Sequence, residues 1–176
     1  PWQSNGLANE RARAAVARVN ALEPDFVIHL GDMVHPTPDQ ASYSAAAKRF
    51  DEIFASLKAP LHLVPGNHDI GDTPAIWTPA KCCTDAFVGK YRDRVGIASA
   101  AFSHGPVEFI LVNSQIINTG SERETAQGAW LEEQLESHKD MRLFLYGHQP
   151  LWVSDPDEEE HYDNTAEPGR SRMRAL

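Results

Sequence analysis

The sequence predicts an α/β fold, and three observations support that prediction. Short apolar runs of strand length alternate with helical segments through the first half of the chain, which is typical of α/β proteins. The run 26–28 predicts a buried strand and 61–64 a second strand, and each ends in a turn that contains glycine. Polar residues follow strand ends at three places, 31–34, 66–69 and 147–150, which is where the sites of α/β sheets gather.

The helices are predicted from spacing and from start signals. Residues 7–22 are rich in Ala and Arg, with Val16 and Val19 on one side. The run Thr37-Pro38-Asp39-Gln40 has the order of an N-cap, a first-turn proline and a capping-box glutamine, and predicts a helix to about Leu57. Further helices are predicted at 86–95 and at 124–138, and the last ten residues have the pattern of a helix start.

The remaining strands and loops follow from apolar runs and turn residues. Residues 100–103 and 107–112 flank a His-Gly-Pro turn and predict a hairpin, and 143–146 predicts one more strand. In the helix at 124–138, Trp130, Leu131 and Leu135 recur at helical spacing. The stretches 73–84 and 155–160 are interpreted as loops.

Length and composition bound the class of protein. A chain of 176 residues, 41% apolar and 23% charged, predicts one soluble globular domain over 1–176. The net charge of −9 argues against non-specific nucleic-acid binding, and no apolar run approaches the roughly 18 residues of a membrane helix. The two cysteines, Cys82 and Cys83, are adjacent and are interpreted as structural thiols, which favours a cytoplasmic location.

The three polar turns together offer the ligand types of a transition-metal site. They supply a carboxylate from Asp32, an amide oxygen from Asn67 and two imidazoles from His148 and His68, to which His35, next to the first turn, could add a third. Oxygen and imidazole ligands without a thiolate suit manganese, iron or zinc. Taken singly, Gly31-Asp32 is a common turn, and His148 alone is more often an ordinary hydrogen-bonded histidine. The three turns together, each after a strand, favour one shared site.

In this order, Gly31-Asp32, Gly66-Asn67-His68-Asp69 and His148 before Gln-Pro resemble the motifs of the calcineurin-like metallophosphoesterase superfamily. Nearly the whole chain is similar to the cytosolic calcineurin-like phosphoesterase domain-containing serine/threonine phosphatases. The stretches that carry this similarity are 31–35, 66–71 with 73–74, 111–115, 130–135 and 147–152. The resemblance implies an α-β-β-α sandwich of mixed sheets flanked by helices. Because the family's opening Asp-x-His or Asp-x-Gln motif and its closing Gly-His-x-His motif are not found, the domain is expected to be partial at both ends.

The resemblance also implies roles for individual residues. Asp32 corresponds to the carboxylate that bridges two metals, and Asn67 and His148 correspond to ligands of the second metal. His68 corresponds to the acid or phosphate-oxygen donor. Asp69 is grouped with His68 as a catalytic residue that fixes this turn.

Two places in the chain leave a role open. His35 stands where many family members carry an Asp paired with the catalytic His; it is either an added ligand, a support or substrate contact, or a simple turn histidine. Tyr162, Asn164 and Arg170 lie in a stretch similar to the family's region before its final motif. For them a solvated loop is favoured over a role in holding substrate.

The function implied is that of a metal-dependent phosphate-ester hydrolase. The resemblance favours a phosphomonoesterase acting on phosphoserine and phosphothreonine proteins by attack of a metal-bridging hydroxide. It implies two divalent or mixed-valence transition metal ions (Mn, Fe or Zn) in the full-length enzyme. The expected partner is a phosphorylated substrate, with neither nucleic acid nor membrane. Two alternatives stay open: a cyclic-nucleotide or other phosphodiesterase with the same metal core, and a truncated, non-catalytic chain that binds a metal or a partner.

Overall fold

The computed structural model describes residues 6–73 and 82–176 as two β-sheets with helices against them. The helices are α1 (Ala8–Leu22), α2 (Tyr43–Phe54), α3 (Asn67–Ile70), α4 (Asp85–Val95), α5 (Glu122–Ser137) and α6 (Gly169–Arg174), with a 3-10 turn at Ser114–Ile116. The strands are β1 (Val27–His29), β2 (Leu61–Leu63), β3 (Ala100–His104), β4 (Val107–Leu111) and β5 (Arg142–Tyr146). The loop predicted at 73–84 falls mostly on residues 74–81, which lie outside the described part of the chain.

The two sheets differ in strand direction. In the first sheet β1 and β2 run parallel, with Val27 opposite Leu61. In the second sheet β4 lies in the centre, antiparallel to β3 and parallel to β5. The predicted hairpin of β3 and β4 is therefore present, and the second sheet is mixed.

Aromatic side chains fill the space between the two sheets. The ring of Phe26, just before β1, lies 5.1 Å from that of Phe102 and 5.0 Å from that of Phe109. His62 of β2 stacks on Phe102 at 3.8 Å. Edge-to-face and offset contacts of this kind are favourable beyond the area they bury. They hold the sheets face to face, and helices cover the outer faces.

Two hydrophobic clusters form the cores under those helices. The first lies beneath α2 and α4 and includes Tyr43, Ala47, Phe50, Ile70, Val88 and Tyr91. The second lies between α5 and the mixed sheet, where Leu131 contacts the cluster of Ile110 and Val112 and Trp130 and Leu135 pack at its margin. The predicted apolar stripe of α5 therefore faces this core, and the order of layers is α-β-β-α, as expected for the fold.

The start of α2 was predicted wrongly. The helix begins at Tyr43, because the residues predicted as a capping box bond to one another instead of to backbone amides. The Thr37 hydroxyl donates to Asp39 Oδ1 at 2.7 Å, and Gln40 Nε2 donates to Asp39 Oδ2 at 3.0 Å. A charged carboxylate is a strong acceptor, so Asp39 orients both side chains toward itself. The helix also ends at Phe54, before Leu57.

The prediction that residues 26–28 form a buried strand needs a second correction. Residues of β1 and β2 are all half-buried. Among the described residues each of these strands has a single hydrogen-bonded neighbour, which leaves its other edge uncovered. Of the described helices, none is both long and apolar enough to cross a membrane.

Candidate active site

Three turns at the carboxyl ends of β1, β2 and β5 meet at one place. His148 Nε2 lies 3.2 Å from Asn67 Oδ1 and 3.6 Å from Asp32 Oδ1. The backbone N–H of His68 donates to Asp32 Oδ1 at 3.0 Å. The structure thus brings together all four residues that the sequence placed in a shared site. Their roles in metal binding and catalysis stay predictions.

Glycine makes this close approach possible. A Cβ atom on Gly31 would lie 2.5 Å from Gly66 N, and one on Gly66 would lie 2.5 Å from Asp32 N and also overlap Asp32 Oδ1. Gly31 has φ +94° and Asp32 has φ +53°, so two successive residues adopt left-handed backbone. A non-glycine residue in that conformation is held there by its surroundings and is often part of a functional site.

Asp69 links the turn after β1 to the turn after β2 by hydrogen bonds beneath the site. Its carboxylate accepts the N–H of Gly66 at 2.8 Å and that of Met33 at 3.1 Å, and the side chain is fully buried. Burial raises the pKa of Asp69 to about 6, although the two amide hydrogen bonds act in the opposite direction. The residue lies beneath the surface of the site, where it supports the turn that carries Asn67 and His68.

The orientation of His148 is set by its other ring nitrogen. Nδ1 lies 2.7 Å from the carbonyl oxygen of Leu30, which can only accept, so Nδ1 carries the hydrogen. In the neutral ring Nε2 then has a lone pair, and it faces the oxygens of Asn67 and Asp32. Three acceptors that point at each other repel, and either a proton on Nε2 or a bound cation between them removes the repulsion. A backbone carbonyl bound to the distal ring nitrogen is the usual support of a metal-ligating histidine.

These donors fit a first-row divalent metal ion. Separations of 3.2 and 3.6 Å are those expected between neighbouring ligands of an ion bound at about 2.0–2.2 Å. The set contains one carboxylate, one amide oxygen and one imidazole. Within residues 6–73 and 82–176, no group of three or more His, Cys, Asp or Glu side chains is arranged to hold a metal. The described residues therefore provide a partial donor set in which the amide is a necessary member.

His35 contacts the ring of His68. The two Nδ1 atoms are 2.9 Å apart, which places a single hydrogen between them. Burial, followed by the nearby His68 ring, lowers the pKa of His35. A neutral His35 ring can either donate or accept at this position. This contact favours a role for His35 in holding the His68 ring, which is one of the alternatives that the sequence left open.

Sequence reasoning missed part of the polar framework behind His148. The Ser114 hydroxyl accepts the N–H of Gln149 at 2.9 Å, and Gln149 Nε2 donates to the carbonyl of Asn164 at 2.7 Å. The polar run 113–115 directly after β4 was the available signal for Ser114. The prediction of a solvated loop was wrong for Asn164 and Arg170, which are 2% and 5% exposed. The segment of Asn164 folds back onto the turn after His148, and Arg170 lies on α6.

Comparison with known proteins agrees with this geometry. Residues 8–170 match the family model described as calcineurin-like phosphoesterase. The chain belongs to the calcineurin-like phosphoesterase family.

Individual relatives and a solved structure extend the comparison. The human serine/threonine-protein phosphatase CPPED1 is 28% identical over 92% of this chain and 51% of its own length. A probable cyclic nucleotide phosphodiesterase, RPA0124 of Rhodopseudomonas palustris, is 30% identical over 80% of this chain and 48% of its own. The purple acid phosphatase PPD1 from yellow lupin seeds matches the fold with a TM-score of 0.54 at 17% identity, over 83% of this chain and 27% of that one. The chain thus spans about half the length of the curated relatives it matches.

Proposed function

We propose that the protein carrying this chain is a metal-dependent phosphomonoesterase that acts on phosphoserine and phosphothreonine proteins. One observation supports this above all: His148 Nε2, with its other nitrogen engaged by Leu30, faces the oxygens of Asn67 and Asp32. That arrangement suits a bound cation, and the relatives of this family include named phosphatases.

The donor chemistry favours manganese, iron or zinc, and family membership favours two such ions. Metal ions bound here would lower the pKa of water and neutralise charge on a phosphoryl group. They would also resolve the mismatch between an anionic substrate and a chain of net charge −9, because bound cations reverse the local potential.

The residues of the site have different roles in this proposal. Asp32 supplies negative charge to the cations and accepts the backbone N–H of His68, which fixes the start of α3 beside it. Asn67 and His148 supply neutral donors. The ring of His68 contacts His35, and we assign it to the substrate. There it donates a hydrogen bond to a phosphoryl oxygen or a proton to the leaving oxygen.

Replacing single residues tests this division in the protein carrying the chain. His68→Ala should lower kcat on a phosphoserine peptide by about 10²–10⁴-fold, the usual effect of losing a positioned acid. Its Mn²⁺ content should be unchanged. Asp32→Asn should lower both Mn²⁺ affinity and activity, because it removes the charge and keeps the shape. His104→Ala, an exposed histidine on β3, is the matched control and should behave as the wild type.

The measurements are metal content by elemental analysis, and hydrolysis after EDTA treatment and Mn²⁺ addition. Bis(p-nitrophenyl) phosphate measures the phosphodiesterase alternative, which the bacterial relative favours. Faster turnover of the diester than of the phosphopeptide would overturn the monoesterase assignment. Full activity after complete metal removal, or loss of metal in His68→Ala, would contradict the proposed roles.

A further inference from the structure

Tyr162 lies directly against the amide of Asn67. Asn67 Nδ2 donates to Tyr162 Oη at 3.1 Å, and the other end of the same amide, Oδ1, lies 3.2 Å from His148 Nε2. The two contacts are at opposite ends of one planar group. With Nδ2 bonded to the tyrosine hydroxyl, the oxygen of the same amide faces His148.

The backbone around Tyr162 is fixed to the segment that follows His148. Gln149 Nε2 donates to the carbonyl oxygens of Tyr162 at 3.3 Å and of Asn164 at 2.7 Å. The backbone N–H of Thr165 donates to the carbonyl of Pro150 at 3.0 Å. With Asn164 and Thr165 both buried, the tyrosine is held beside the site by a packed segment.

The hydroxyl of Tyr162 has one hydrogen that its contact with Asn67 does not use. A tyrosine hydroxyl has one hydrogen and can accept as well as donate. It accepts from Asn67, and among residues 6–73 and 82–176 its own hydrogen has no acceptor within hydrogen-bond distance. The side chain is 43% exposed, so this hydrogen is accessible to a ligand. A tyrosine hydroxyl ordinarily carries its hydrogen at neutral pH.

We propose that Tyr162 does two things at this site: it holds the Asn67 amide with its oxygen toward the metal, and it donates its own hydrogen to a non-bridging oxygen of a phosphoryl group. This inference rests on the proposed function. The ligand it selects is a phosphate monoester or inorganic phosphate, whose oxygens are strong acceptors.

A neutral donor suits this position. Asp32, Asp69 and Asp72 already place negative charge near the site, and a further carboxylate here would repel the substrate. A phenol adds a hydrogen bond to the phosphoryl group without adding charge. Without the hydroxyl, the Asn67 amide loses the contact that holds Nδ2 away from the other donors, and a rotated amide would present N–H groups to the metal.

Tyr162→Phe in the protein carrying this chain tests both parts, because it keeps the ring and removes only the oxygen. Mn²⁺ affinity of the metal-free protein, measured by calorimetry, should fall by about 10-fold, the effect usually seen when a supporting hydrogen bond to a metal ligand is lost. At saturating Mn²⁺, the inhibition constant of inorganic phosphate should still rise by about 10-fold, since a hydrogen bond to a charged group is lost.

Tyr91→Phe is the matched control. Its hydroxyl is buried and has no hydrogen-bond partner among the described residues, so its removal should change neither quantity. A Tyr162→Phe protein with wild-type Mn²⁺ affinity would overturn the positioning part. A phosphate effect that disappears at saturating Mn²⁺ would overturn the contact with the phosphoryl group. If the wild type itself neither hydrolyses phosphate esters nor binds phosphate, the proposed function fails, which is a separate result.

Discussion

At the scale of the residue, the site depends on positions where only one or two side chains are compatible with the backbone. Gly31 and Gly66 face each other so closely that either Cβ would overlap the opposite turn. Asp32 adopts φ +53°, a conformation that Asp and Asn tolerate better than other residues with a side chain. Asn is therefore the substitution that removes the charge of Asp32 with least change in the backbone.

Gly66→Ala should remove metal binding and destabilise the fold. The new methyl would overlap Asp32, and overpacking of this kind typically costs about 1–3 kcal/mol. Mn²⁺ titration and urea unfolding measure the two effects. Gly128→Ala on α5 is the control, since its Cβ would have no neighbour within 4 Å and alanine favours a helix by up to about 1 kcal/mol. Wild-type Mn²⁺ affinity in Gly66→Ala would contradict the packing argument.

The pairing of His35 with His68 gives a second prediction at this scale. His35→Ala removes the 2.9 Å contact, so the His68 ring loses a fixed orientation and kcat should fall by about 10-fold with KM little changed. His35→Asn places an amide near the former Nδ1 and should restore most of kcat. A structural role alone would give similar losses in both variants. Steady-state kinetics on a phosphopeptide, with thermal stability measured in parallel, decides between the two.

At the scale of the element, the segment 153–164 is organised by one carboxylate. Glu158 accepts the N–H groups of Val153 at 2.8 Å and Ser154 at 2.9 Å, the hydroxyl of Ser154 at 2.8 Å and the amide of Asn164 at 2.8 Å. Hydrogen bonds from Asn164, and then from Val153 and Ser154, hold the pKa of Glu158 well below its usual value of 4.5. The ionised carboxylate of Glu158 accepts backbone N–H groups of this loop that a neighbouring strand or helical turn would otherwise bind.

The sign of the pH dependence follows from that shift. A carboxyl whose pKa is lower in the folded protein contributes stability above its usual pKa, and this contribution is lost as the pH falls through the folded pKa. Glu158→Gln should therefore lower Tm at pH 7, and its difference from the wild type should shrink from about pH 4.5 downward. Glu132→Gln, on the exposed side of α5, should show no such trend. A difference that grows toward low pH would contradict the assignment.

At the scale of the whole molecule, two separate cores support the halves of the site. The core beneath α2 and α4 holds Tyr43, whose hydroxyl donates to the carbonyl of Asp69 at 2.8 Å, and so supports the turn after β2. The core beneath α5 includes Val112 and supports the mixed sheet whose β5 leads to His148. The donors therefore converge only when the two sheets pack together through Phe26 and its neighbours.

Leu131→Ala should destabilise the whole fold by about 2–5 kcal/mol, because the leucine is 1% exposed and its loss leaves a cavity. Leu22→Ala, at a leucine that is 66% exposed, should change stability by less than about 0.5 kcal/mol. Urea unfolding measures both. Equal effects of the two substitutions would show that α5 is not packed on the sheet as described.

Much of the fold could be predicted from the sequence, because buried residues recur at regular spacing along a helix and strands are short apolar runs. The helices α1, α4 and α5, the β3–β4 hairpin and β5 all have local patterns that specify them within a few residues. The glycine-containing turns after β1, β2 and β5 could be predicted for the same reason, since a sharp turn after an apolar run is a local feature. That local information was enough to place Asp32, Asn67, His68 and His148 in one predicted site.

Only the tertiary structure determined the hydrogen bonds between residues that are far apart in the chain. Asn67 and Tyr162 are separated by 95 positions, His35 and His68 by 33, and Leu30 and His148 by 118. No local pattern encodes such pairs, because each partner is set by how the sheets and loops pack. The start of α2 differed for a related reason, since the side chains of Thr37 and Gln40 bond to Asp39 and not to the backbone amides of a helix start. Periodicity reports which side of an element is buried, whereas the choice of a polar partner depends on which acceptor lies nearest once the chain has folded.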